Sequence, residues 1–118
     1  MTVFRIFLGT FLLAIATYSA VIVAQYGLNL FSPFFGAIYA MTWQGQFNLD
    51  FLGFLILSAT WVAWRNEFTP TGMGLSILAF FGGMIFLPIY LLYLLKTSPG
   101  GIVPVLLGTA RFAKLQQG

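Results

Sequence analysis

Two residue types are missing from this chain and a third class is scarce. It contains no cysteine and no histidine, and charged residues make up only 6% of it. Without cysteine there is no disulfide, thiolate metal site, covalent c-type haem or thiol nucleophile, and the redox compartment leaves no mark on the sequence. Without histidine the usual axial ligand of haem and the commonest general base are gone. Metal or haem held by either residue is therefore excluded. A magnesium tetrapyrrole could still be held through Asn, Gln or water, and a bound lipid or pigment is compatible with the composition. The scarcity of charge matters most. A soluble domain carries roughly 25% charged residues to dress its surface. A chain with 6% could not cover its exterior against water, so lipid is the solvent for most of it.

The residues present are mostly apolar: 60% of 118. The expected fold class is an all-α membrane protein of three transmembrane helices, filling residues 1–118 as a single transmembrane domain. The five basic residues outweigh two acids to give a net charge of +3. They are too sparse for a nucleic-acid interface and read as flanking charges that orient helices, so membrane lipids are the expected partners.

The first apolar run, 3–24, holds one charge, Arg5, at its start. About 20 residues at 1.5 Å each cross a hydrocarbon core of about 30 Å, so this is one span. It is longer than the h-region of a signal peptide, and the residues after it are equally membranous. Ala16, Ala20 and Ala24 recur at a spacing that places them on one face, where another helix can pack closely.

Gln25 to Asn48 is uncharged and interrupted by Gly27, Asn29, Pro33, Gly36 and Gly45. Ser32-Pro33 reads as a helix start, with Ser as N-cap and Pro at the first helical position. Segment 32–43 is expected to be an interfacial or re-entrant helix, with Tyr39 and Trp43 at headgroup level. The second span covers 48–65, its short apolar centre completed by snorkelling or local thinning. Pro70 and Gly72 mark the turn to a third span, 73–95. Ser76, Ala79 and Gly83 form a second small face, and Gly82-Gly83 suggests close backbone approach. Pro88 lacks the N–H that would reach the carbonyl of Met84, which predicts a kink there. Residues 98–101 read as a linker, and 102–117 as a short amphipathic surface helix or a loose tail.

With three spans, Arg5 and Arg65 fall on one side and Lys96, Arg111 and Lys114 on the other. Charge counting is then nearly a tie. The uncharged first loop tips the reading toward an inside N-terminus, in a bacterial inner membrane.

Asp50 is expected in the first turn of the second helix, just before the apolar run Phe51 to Leu57. An acid near the membrane core is a functional-site candidate, here a catalytic acid or proton carrier. The same position also suits a structural role beside free N–H groups at a helix start, with Asn48 as cap. Glu67 reads as the solvated partner of Arg65, and Trp61 and Trp64 as an aromatic belt. Tyr90 and Tyr93 share a face beyond Pro88, and antiparallel packing of spans two and three could bring their hydroxyls to Asp50. Asp50, Trp43, Tyr90 and Tyr93 are thus the candidate catalytic and ligand-contacting residues.

Trp43-Gln44-Gly45, Asp50-Phe51-Leu52-Gly53-Phe54, Trp61, Trp64, Arg65 and Glu67 together resemble a pattern in small uncharacterised bacterial three-helix membrane proteins. Some of these have been grouped with larger membrane terpene cyclases, whose intramembrane carboxylates donate protons. That resemblance implies Asp50 as the acid. Nothing else marks an enzyme. The leading expectation is a structural or accessory subunit packing into an oligomer or larger complex. The alternatives are an enzyme or binding protein for an isoprenoid, carotenoid or other lipid, and an ion or proton pathway through Asp50.

Overall fold

The computed structural model describes residues 2–98 and 100–117. The linker reading at 98–101 falls partly on Pro99, outside the described residues. The elements are α1 (Thr2–Tyr26), α2 (Phe31–Tyr39), α3 (Trp43–Arg65), α4 (Pro70–Thr97), α5 (Ile102–Leu107) and α6 (Thr109–Gln117), with no strand among the described residues. The protein is an all-α membrane protein. Among the described residues α1, α3 and α4 are the helices long and apolar enough to cross a membrane.

α1 turns one side toward α4. Leu8 is buried, and Phe4, Leu12, Ile15 and Ser19 are half-buried at helical spacing around it. α2 begins at Phe31, and its N-cap Leu30 makes no side-chain bond, so Ser32 is not the cap expected of it. α2 lies across the start of α3. Asn48 donates from Nδ2 to the carbonyl of Phe34 at 3.1 Å, and Gly45 meets the Ala37 carbonyl so closely that a Cβ would not fit.

α3 begins five residues earlier than the sequence suggests. Thr42 is extended, and its Oγ1 accepts from the N–H of Gly45 at 3.2 Å, capping the first turn. At 1.5 Å per residue α3 is about 34 Å long, enough to span without local thinning. The earlier start corrects two expectations. Asp50 lies in the helix body, not among the free N–H groups of the first turn, and Asn48 ties α2 to α3 instead of capping. The turn out of α3 uses positive φ at Glu67 and Phe68. α4 then starts with Thr69 as N-cap, accepting from the N–H of Gly72 at 3.1 Å, and Pro70 in its first turn.

The bend in α4 falls at Gly83 (φ 52°, ψ −128°), not at Pro88. Pro88 is buried within helical backbone, whereas the backbone at position 83 is one that side chains disfavour and glycine tolerates. Contacts along α3 show how far the chain turns. Gly72 lies against Asn66, Ser76 Oγ donates to the Ala59 carbonyl at 2.7 Å, and Gly83 faces Phe51 and Leu55. Seven residues later Tyr90 is back at Asn66, at 2.9 Å. A continuous helix would have carried Tyr90 away from that end. Instead the N-terminal arm runs antiparallel to α3 and the C-terminal arm returns beside it. Gly82 is part of the turn, since a Cβ there would lie 2.6 Å from Phe86 Cβ.

The C-terminal segment is two helices, not one, divided at Gly108 (φ 90°). Arg5 Nη2 donates to the Leu95 carbonyl at 3.4 Å, so α1 starts where α4 ends.

Gly83→Ala should cost about 1–3 kcal/mol, from positive φ and from a Cβ pressed on Phe51 and Leu55. Gly53→Ala, at an open helical position, should be neutral or mildly stabilising. Thermal unfolding of both variants in one detergent tests the contrast.

Candidate functional site

The return of the C-terminal arm of α4 builds a polar cluster at the end of α3. Arg65 is 8% exposed. Its Nε donates to the carbonyl of Val105 in α5, its Nη1 donates to Tyr90 Oη at 3.3 Å, and its Cζ lies 5.9 Å from the Tyr90 ring centroid. Asn66 Nδ2 donates both to the Val62 carbonyl at 2.8 Å and to Tyr90 Oη at 2.9 Å. A buried guanidinium needs its charge compensated. Here a carbonyl, a phenol oxygen and an aromatic face do so, together with the negative end of the α3 dipole, at whose last turn Arg65 sits. The expected solvated pairing of Arg65 with Glu67 is not what the side chain makes; Glu67 is exposed.

The two tryptophans are also tied into this end rather than forming a free aromatic belt. Trp61 Nε1 donates to the Leu106 carbonyl at 3.0 Å, and its ring meets Tyr90 edge-on at 6.1 Å. Arg111 of α6 stacks on Trp64, with Cζ 4.1 Å from the ring centroid, and donates to the Trp64 carbonyl. Gly108 fits against the Arg65 carbonyl with no room for a Cβ. Arg65, Trp61 and Arg111 therefore hold α5 and α6 onto the end of α3.

Beside the cluster lies an apolar cavity of about 560 Å³, within the ~300–1,000 Å³ common for small-molecule sites. Phe51, Phe54, Leu55, Ser58 and Trp61 line it from α3, and Gly83, Met84, Leu87 and Leu91 from α4. Phe4 of α1 and Ile102 and Leu106 of α5 complete the wall. Ser58 Oγ is buried without a hydrogen-bond partner, the one such side-chain atom among the described residues. Unpartnered buried hydroxyls are uncommon because each forfeits its solvation.

The residues singled out from sequence do not converge. Asp50 is exposed, beside Phe51, at the level the Gly83 turn reaches. Tyr90 is buried at the opposite end of α3, its hydroxyl taken by Asn66 and Arg65, so the anticipated Tyr–Asp bond is not made. Tyr93 is exposed, and Trp43 is exposed against Phe47 at the far end of α3. Of the two small-residue faces, that of α4 is used. Ser76 bonds to α3, Ala79 is fully buried and Gly83 meets α3 side chains. Ala16, Ala20 and Ala24 are all exposed. Arg65, Asn66 and Ser58 carry no sign of their roles in sequence. A helix-ending arginine looks like an anchor until another segment folds over it, and a lone serine in an apolar helix looks like a back-bonded one.

Comparison of the chain with protein-family models, curated proteins and solved structures finds no match.

Tyr90→Phe removes the oxygen that accepts from Asn66 and Arg65 and leaves those donors to find others. A loss of about 1–3 kcal/mol is expected, read as a lower midpoint in detergent unfolding. Fluorescence of Trp61, in edge contact with that ring, should report the same transition.

Proposed function

We propose that this protein is a structural or accessory subunit of a membrane assembly, docking through α1. The observation that carries this reading is the uncovered alanine face of α1. Helices in lipid gain nothing hydrophobic by associating and are held by close packing of small residues. The small face of α4 already has that packing, with Ala79 fully buried. The Ala16, Ala20 and Ala24 face has none among the described residues, and every residue from Ala20 to Tyr26 is exposed. A transmembrane helix of a second copy, or of another subunit, is the occupant it suits. In this reading the chain resides in a bacterial inner membrane with its N-terminus inside.

A second reading has its own support in the cavity. Its walls are apolar and aromatic, and Ser58, whose buried hydroxyl has no partner, is among the residues that line it. An isoprenoid, carotenoid or other lipid with one oxygen function would meet both demands: burial for its chain and a partner for Ser58. Neither Asp50 nor Tyr93 lines that space, so this reading is of binding, with no proton donor for a cyclase-like reaction.

Because the native chain lacks cysteine, Ala20→Cys supplies a single cross-linking handle. Oxidation or a short bis-maleimide in native membranes should yield an adduct with itself or with one partner polypeptide. Ala20→Leu should weaken the association by about 1 kcal/mol, or several-fold. A chain that stays monomeric and uncross-linked in native membranes would remove the subunit reading. For the cavity, mass spectrometry of extracts from purified protein should find one enriched lipid species. Ser58→Ala and Leu87→Trp should both lower its recovery, while a recovery equal to that of bulk lipid in all three proteins would sink the binding reading.

A further inference from the structure

We propose that α4 is a hairpin that enters and leaves the membrane on one side, gathering all five basic residues at one end of the molecule, where the four other than the buried Arg65 rest on the anionic phospholipid headgroups of the cytoplasmic leaflet. The partners along α3 carry the geometry: Asn66, then Ala59, then Phe51 and Leu55 for the outgoing arm, and Asn66 again for the returning Tyr90. A segment that begins and ends beside the same end of α3 makes no net crossing. Three straight spans would place Lys96, Arg111 and Lys114 across the bilayer from Arg5 and Arg65. The contacts instead join these groups: Arg5 to the Leu95 carbonyl, Arg65 to Val105, and Arg111 to Trp64.

The near-tie in charge counting disappears with that fold. All the Lys and Arg residues lie at one end with a single acid, Glu67, while Asp50 and the uncharged α2 lie toward the other. Lys and Arg next to spans are retained on the cytoplasmic side, and that leaflet is rich in anionic lipid that attracts basic juxtamembrane segments. Arg65 is buried, but Arg5, Lys96 and Lys114 are exposed and Arg111 is half-buried. α6 is a short helix with cations on one side and Phe112 turned toward Gly100, the form of a helix lying in a headgroup plane.

The absence of native cysteine makes the test direct. Thr69→Cys in the α3–α4 turn, Gln117→Cys in α6 and Ser32→Cys in α2 all alter exposed positions. In bacterial cells treated with a membrane-impermeant maleimide, Ser32→Cys should label while the cells are intact. Thr69→Cys and Gln117→Cys should label only after permeabilisation. Labelling of positions 69 and 117 from opposite sides means three net crossings and overturns the hairpin; labelling of both in intact cells overturns the cytoplasmic assignment. For the headgroups, a dye on Gln117→Cys is reconstituted in phosphatidylcholine vesicles with or without phosphatidylglycerol. Quenching by acrylamide should fall when the anionic lipid is present, and the protection should be lost with Lys96→Gln and Lys114→Gln. Equal quenching in both vesicles overturns the anionic-surface part.

Discussion

A helix in lipid can reverse direction only where the turn needs little side-chain room and the freed backbone groups are covered by protein. In this chain that condition is met at Gly82 and Gly83. Gly83 takes a positive φ and faces Phe51 and Leu55, and Gly82 leaves space for Phe86. Everything at the other end of the molecule depends on this turn. Without it Tyr90 would not return to Asn66 and Arg65, and α5 would not reach α3. The cavity would then lack the wall made by Met84, Leu87 and Leu91.

The polar cluster at the end of α3 is the counterpart of that turn. A hairpin of two short arms has little apolar area to hold it against α3 in a solvent that is itself apolar, so directional contacts matter more than they would in water. Arg65 supplies them toward both Tyr90 and α5, and Trp61 and Arg111 repeat the theme toward Leu106 and from α6. Charge-assisted bonds to carbonyls at a helix C-terminus are favourable twice over, through the bond and through the helix dipole.

Much of this is legible in sequence. The membrane class comes from charge scarcity alone, and α1 and α2 lie close to where hydropathy and turn residues put them. The start of α3 escapes such a reading because Gln44, Gly45 and Gln46 make its first turn look like loop, while one side chain, Thr42, closes the cap. Gly82-Gly83 reads as close approach between helices. Gly83 does lie against α3, but the pair also forms the turn within α4. Pro88 draws the expected kink because its lost N–H is visible in sequence, whereas a glycine's unusual φ is not.

Residue types and periodic runs are enough to specify the solvent of this protein, its helical class, its lack of Cys and His chemistry, and which residues are small enough for close packing. Each of these is a property of single residues or of a local repeat. Which end each charge occupies is settled only by tertiary packing. So are the burial of Arg65, the meeting of Tyr90 with Asn66 in place of Asp50, and the position of Ser58 beside a cavity. All of them depend on the direction the chain takes after Gly83. Two apolar arms read the same whether they continue or fold back, and only the packing against α3 distinguishes them.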